Sequence, residues 1–346
     1  MLYYKEKAQR QRLNAKKGEG RVQEILQNTT AYTRLLAQRE EGKLSHAYLL
    51  VYDDPIHTKT ALKTLAKILF YAEENGYNGY DSAEQERIAR LIDGEKYADC
   101  LVYPKNEKRL NVEECERIIE ECFIHAVEGD KKVILIDRID EALPTAQNKL
   151  LKVLEEPHEG VVFLLSARTT YPVLQTVLSR TQKLEIPPLS IEEVGACMRR
   201  NKKITATPAE IQLVSALSCG SVGTAEGLLT AGYYKTLLSD AFALCECELD
   251  RLPIAAKQAG ATKNKKELVS ILRLIFRDAA FLKLGQKEQL LLAPEKERIS
   301  RIAQRFSHAA IIYAQERFSA VEKEVVFNAN FTQAIELCMA RILKVN

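Results

Sequence analysis

At 346 residues and 39.1 kDa the chain is more than twice the usual domain size of roughly 100 to 150 residues, so two or three domains are expected. Apolar residues at 46% and charged residues at 28% fit an ordinary water-soluble protein, and 15 glycines with 10 prolines fall below the usual share of about 12%, which excludes a long low-complexity chain. Fifty basic against 47 acidic residues leave only +3, no mark of a nucleic-acid binder, but the surplus is uneven: from Arg251 onward there are 17 basic and 9 acidic residues.

The first twenty residues carry Lys5, Lys7, Arg10, Arg12, Lys16 and Lys17 against Glu6 and Glu19, a basic extension read as a solvated helix or frayed terminus rather than a nucleic-acid arm. Next, His46 to Tyr52 is a short apolar run of strand formers, followed by a polar turn and then Leu62, Leu65, Ala66 and Leu69 at offsets of one helical face. This is a strand, loop, helix unit. Lys132 to Asp137, Val161 to Ser166 and Gln182 to Ile186 read as further strands, and such continuous apolar runs imply a parallel α/β sheet covered by helices. Between the second and third of these strands, Leu143, Ala146, Leu150, Leu151 and Leu154 predict a helix with Pro144 in its first turn, ending near Glu155-Glu156-Pro157.

After Pro187-Pro188 no strand pattern persists: residues 190–230 read as three short helices with Gly220-Ser221-Val222-Gly223 near their close, and from Tyr233 onward every segment has helical period. The expected division is an extension over 1–20, an α/β domain over 21–187, a small helical domain over 188–231 and an all-helical end over 232–346. The eight cysteines are scattered without disulfide-framework spacing, and no signal peptide and no apolar run of 18 residues is seen, so reduced thiols in a cytoplasmic protein away from membranes are expected.

The loop after the first strand sits where a phosphate-binding loop, G-x-x-x-x-G-K-[ST], would lie. It reads Asp53-Asp54-Pro55-Ile56-His57-Thr58-Lys59-Thr60, in which only Lys59 and Thr60 fit while Asp53 and Thr58 hold the glycine places. Glycine lets consecutive backbone N–H groups curl around a phosphate, and two carboxylates facing a polyanion would repel it, by roughly 4 kcal/mol per pair at about 4 Å and an effective dielectric near 20. The second acidic element of such a site is a strand ending in Asp-Glu; here it is Asp137-Arg138, and Arg138 is read as a salt-bridge partner rather than a catalyst.

At these residues the chain resembles the delta-prime clamp-loader subunits of bacterial DNA polymerase III, members of the AAA+ superfamily. The resemblance rests on Leu44 to Leu50, Asp137 to Ala142, Ala146 to Pro157, Val173 to Arg180 and Gly220 to Ala225, with a weaker likeness at Asn328 to Glu336. It implies an AAA+ parallel-sheet domain, a helical lid and a C-terminal helical collar. It also implies a stator that does not hydrolyse ATP, within a pentamer that loads a sliding clamp onto primed DNA. Its partners would be gamma/tau-type motor subunits and the delta subunit, with the clamp touched indirectly and DNA met within the complex. Whether the chain counts as an enzyme stays open, beyond membership of a DNA-directed DNA polymerase holoenzyme. The family's Ser-Arg-Cys motif gives an arginine finger to the neighbouring ATP site; here it is Ser179-Arg180-Thr181, with Arg180 the finger.

Departures from the family bear on particular roles. The zinc module of the family needs four closely spaced cysteines, residues 60–99 have none, and Cys100, Cys115 and Cys122 are too widely spaced, so no zinc is expected. Ala167 stands where motor relatives carry a polar sensor, and Thr224 where an arginine often follows Gly-Ser-x-Gly. No cofactor is therefore expected, ATP being held by neighbours. Two other readings are an active AAA+ ATPase using Lys59 and Asp137, and a DNA-binding module using the basic ends. Cys245 and Cys247 read as ordinary helical positions, since i and i+2 share no face.

Overall fold

A computed structural model describes residues 22–70, 82–106, 108–201, 204–326 and 330–346. The basic segment 1–20 and the Asn328-Ala329 pair lie outside the described residues. The chain forms two compact units, one running to Pro188 and including Ser221–Gly223, the other holding Leu189–Gly220 and Thr224–Asn346.

The first unit begins with helices α1 (Val22–Gln27) and α2 (Thr30–Glu40), then alternates strand and helix: β1 (Ala47–Val51), α3 (Thr58–Phe70), α4 (Ser82–Asp93), β2 (Cys100–Tyr103), α5 (Val112–Cys122), β3 (Lys132–Ile136), α6 (Pro144–Glu155), β4 (Val161–Ala167), α7 (Gln175–Leu178) and β5 (Gln182–Glu185). The five strands are parallel in the order β2-β3-β4-β1-β5. Alternate residues of each strand point to opposite faces, and both faces are covered. Tyr48, Leu50, Val133, Leu135, Val162 and Leu164 pack with α1 to α4, whereas Leu49, Ile134, Ile136, Phe163 and Leu165 pack with α5, α6 and α7. Every residue of β3 and β4 is buried, which is why these strands read as unbroken apolar runs.

The register sets Val51 beside Ala167 on one side and Glu185 on the other. The loop leaving β1 therefore emerges at the C-terminal edge of the sheet where the strand order switches, the usual crevice for a ligand in an open α/β sheet. The edge strand β2 escaped the sequence reading, because four residues ended by Pro104 give no periodicity to count.

One buried amide ties together the segments leading to Ser179 and Arg180. The Gln147 side chain on α6 is 1% exposed; its nitrogen is shared among the carbonyls of Ile139 (3.3 Å), Ala142 (3.1 Å) and Pro172 (3.2 Å), and its oxygen accepts from the N–H of Leu174 (2.9 Å). Leu174 is the residue before α7, so α6 holds the start of the short helix that ends at Ser179. At the other end of α6, His46 Nε2 lies 2.9 Å from the Leu154 carbonyl, fixing the entrance of β1.

The second unit is helical among its described residues: α8 (Ile191–Arg200), α9 (Pro208–Leu217), α10 (Val222–Thr230, of which Val222 and Gly223 belong to the first unit), α11 (Tyr234–Glu246), α12 (Leu252–Gly260), α13 (Lys265–Lys283), α14 (Lys296–Arg305), α15 (His308–Val326) and α16 (Phe331–Val345). Both α8 and α9 start with capping boxes, Ser190 with Glu193 and Thr207 with Glu210. The long α13 packs against α11, α14 and α15, with Phe276 edge-on to Phe306 and tilted against Phe318 at 5.1 and 5.6 Å. Arg298 stacks over Phe242 at 4.0 Å while gripping both oxygens of Glu246 at 3.0 and 2.8 Å. The arginine hydrogen bond holds the Glu246 carboxyl below its ordinary value, against the opposing effect of burial.

Replacing Gln147 by leucine keeps the volume but deprives three carbonyls and one N–H of their partner. The expected loss is about 3 kcal/mol of unfolding free energy, read from urea denaturation of the full chain, with protease sensitivity appearing first at 170–180.

Candidate functional site

The loop between β1 and α3 is closed by its own side chains. Tyr52 donates its N–H to the Ala167 carbonyl (3.0 Å), which continues the sheet one residue past β1. Asp54 then turns inward and is fully buried. Its Oδ1 accepts from the N–H groups of Ile56 (2.9 Å) and His57 (2.8 Å), and its Oδ2 accepts from Tyr52 Oη (3.3 Å), Ser221 Oγ (3.0 Å) and the N–H of Gly223 (2.8 Å). The expected picture of two carboxylates facing a polyanion is corrected here: only Asp53 is exposed, and it pairs with Arg168, whose Nη2 and Nε lie 2.9 and 3.2 Å from Oδ1.

Of the remaining loop residues, Pro55 and Ile56 are exposed, whereas Thr58, Lys59 and Thr60 are engaged with the protein. Thr58 opens α3 with its side chain buried, and the Thr60 carbonyl accepts from Thr64 Oγ1 at 2.8 Å. Lys59 Nζ lies 3.6 Å from Glu95, which also takes Lys63 at 2.8 Å. Burial acts to raise the Glu95 carboxyl, but Lys63 and Lys59 outweigh it and hold the group below its ordinary value.

Asp137 and Arg138 follow β3 at the same edge, separated from the loop by β4. Asp137 is buried and accepts from Ser166 Oγ (2.7 Å), which in turn accepts from the N–H of Arg138 (2.9 Å). Arg138, at φ +53°, sends Nε to within 3.5 Å of Asp137 and Nη1 to 3.2 Å from Glu141. Ser166, one place before Ala167, supplies the polar group that fixes this carboxylate. Nearby, Asp140 accepts the N–H of Arg168 at 3.1 Å, and burial raises its carboxyl above the ordinary range.

Arg180 stands elsewhere. It follows α7 and precedes β5, and because Val51 is level with Glu185, five residues further on, it lies roughly 15 Å from the loop along the strand direction, at the N-terminal edge of the sheet. Its Nη2 and Nε lie 2.8 and 3.2 Å from Glu155 Oε2, and its Nη1 donates to the Thr176 carbonyl at 3.0 Å. Ser179 Oγ donates to the Thr176 carbonyl as well, at 3.1 Å. The structure thus brings Asp53, Asp54, Thr58, Lys59, Thr60, Asp137 and Arg138 to one edge and leaves Ser179 and Arg180 on the other. Gln147, Glu155 and Ser166 were quoted in motifs without a role; Glu95 and Arg168 gave no local signal at all.

A five-stranded parallel sheet of this order, with a loop closed by its own side chains after the first strand and an Asp-Arg pair after the third, is the architecture that the resemblance to AAA+ domains implied. Residues 27–190 match the sequence model of the family described as DNA polymerase III, delta subunit. The delta-prime subunit of DNA polymerase III from Bacillus subtilis is 29% identical over 150 residues, 43% of this chain and 44% of that protein; the one from Yersinia pestis is 27% identical over 270 residues, 75% and 73%. The chain thus spans under half the length of the Bacillus relative. Among solved structures, the DNA clamp loader delta protein of Bacillus subtilis is 12% identical, with 90% of this chain and 99% of that one covered, at a TM-score of 0.32. Over residues 27–190 the chain is thus similar to delta-type subunits of DNA polymerase III.

Among the described residues no cluster of three or more His, Cys, Asp or Glu side chains is arranged to hold a metal ion. Cys100, Cys115 and Cys122 are all buried. Burial pushes the Cys100 and Cys115 thiols up to about 12 and that of Cys122 up to about 11. Cys219 is exposed and Cys247 half-buried. Since the thiolate is the reactive form, brief alkylation of the native chain by iodoacetamide at mildly alkaline pH should modify Cys219 first, with Cys247 following slowly. Cys100, Cys115 and Cys122 should react only after denaturation, as read by peptide mass spectrometry.

Proposed function

We propose that the chain is the delta-prime-type stator of a bacterial DNA polymerase III clamp loader, working in the cytoplasm on the replicating chromosome. It binds no nucleotide productively and lends Arg180 to the ATP site of an adjoining gamma/tau-type motor subunit. The delta subunit is a further partner, and the sliding clamp and primed DNA are met through the assembly.

The observation that carries this reading is the separation of Arg180 from the chain's own loop. An arginine at the opposite edge of the sheet serves no site in cis, yet it is partly exposed and sits in the Ser-Arg position of the family. Its guanidinium is permanently charged and forked, so it can give two hydrogen bonds to a phosphoryl group at once. ATP held by the neighbour supplies the phosphoryl group; this chain supplies the cation that offsets charge building on it. Glu155 keeps the guanidinium extended across the surface beside Ser179, and Gln147 holds the loop that leads to it. The closed loop supports the non-hydrolysing half of the reading, because the Ile56 and His57 N–H groups already have an acceptor and Lys59 already has a carboxylate.

Two measurements test these halves separately. Calorimetric titration of the isolated chain with Mg·ATP should give no binding heat; micromolar affinity abolished by Lys59→Ala would instead establish an active ATP site. In a loader reconstituted with its motor subunits, clamp and primed DNA, Arg180→Ala should cut single-turnover hydrolysis at the adjoining site by about 10³-fold or more while complex assembly persists, with Arg180→Lys nearly as impaired. A rate equal to that of the parent complex would remove Arg180 from the site.

A further inference from the structure

The Asp54 carboxylate is surrounded only by donors. Three are backbone N–H groups, of Ile56, His57 and Gly223, and two are hydroxyls, of Tyr52 and Ser221. They come from both ends of the loop and from a segment 167 to 169 residues away, and they divide between the two oxygens, two on Oδ1 and three on Oδ2. A carboxylate only accepts, so every group facing it suits an oxyanion. The seat is also shaped for close approach. A Cβ at Gly223 would overlap Asp54 Oδ1 and come within 2.9 Å of the Ile56 Cβ and 3.0 Å of its nitrogen. This accounts for two residues of the Gly220-Ser221-Val222-Gly223 motif: Ser221 gives a hydroxyl, and Gly223 gives an N–H without a side chain in the way.

We infer that these donors form an oxyanion seat built into the fold, which the chain fills with its own Asp54 carboxylate, and that a small free oxyanion enters it when that side chain is removed. The inference deepens the reading of the loop as a closed nucleotide loop. The loop is shut to phosphate by occupation rather than by charge repulsion at its mouth. An internal carboxylate needs no dissolved ligand to stay in place, and it satisfies backbone groups that a nucleotide phosphate would otherwise meet.

The test is chemical rescue in the full chain. Asp54→Ala and Asp54→Asn should each lower the thermal midpoint by roughly 5 to 10 °C, because the buried donors lose both acceptor oxygens in the first and have one replaced by an opposing NH2 in the second. Formate should restore at least half of the loss in Asp54→Ala, inorganic phosphate should do so where the vacated seat admits a larger oxyanion, and chloride at equal ionic strength should not. Gly223→Ala should fall by a similar amount without rescue, since its own carboxylate remains in competition for the seat. If Asp54→Ala does not fold in buffer, refolding yield with and without formate gives the same answer. A midpoint equal to that of the parent chain, or a loss that neither formate nor phosphate reduces beyond chloride, would overturn the seat. Because rescue is read on the isolated chain and the Arg180 effect in the assembled loader, either can fail while the other holds.

Discussion

A helix that follows a buried strand begins with N–H groups that must find an acceptor. In a nucleotide-binding fold the ligand's phosphates fill that need; in this chain the Asp54 carboxylate does. Much of the surrounding edge follows from that substitution. Along the same edge Lys59 leans on Glu95, Asp53 takes Arg168, and Asp137 is shared between Ser166 and Arg138. Asp53, Asp54, Lys59, Asp137 and Arg138 are each engaged by another group of the protein at this edge.

The opposite edge carries what remains available. There Arg180 rests on a single exposed carboxylate, and its position derives from buried groups rather than from neighbours in sequence. Gln147 joins α6 to the start of α7 through hydrogen bonds at 2.9 to 3.3 Å, and Leu150 and Leu154 on the same helix sit in the core beneath β4. A side chain that anchors a loop by its amide and a sheet by its helix, together with the Arg180 N–H donating to the core residue Val177, holds the cation in a fixed place.

Much of the fold was legible because burial on both faces writes itself into composition. The strands β1, β3, β4 and β5 stood out as runs of Val, Ile, Leu and Phe, and α6 as a leucine face opened by Pro144. The strand β2 was not legible, being four residues at the sheet margin. At the loop, the absence of glycine was enough to argue against nucleotide binding, but not to say how the loop is closed. Asp54 was read as facing outward because its partners Ser221 and Gly223 are 167 and 169 residues away, a distance over which one sequence carries no pairing signal. Glu155 and Arg180, 25 residues apart, illustrate the same limit at shorter range: both lay in recognised motifs, yet their pairing appears only when α6 and the segment after α7 are folded side by side.

The pairing of Arg180 with Glu155 changes the energetics of docking. A bare guanidinium meeting a phosphate would gain a full charge interaction; one that must first leave Glu155 trades one oxyanion for another, and only the difference counts. The trade leaves the Glu155 carboxylate, more than half exposed, free to be re-solvated by water. For any phosphate that reached this edge, contact with Arg180 would be an exchange of one oxyanion for another, with the Glu155 pairing set against it. In the proposed role, such an exchange would select for phosphate geometry that outbids a carboxylate more than it would add to affinity.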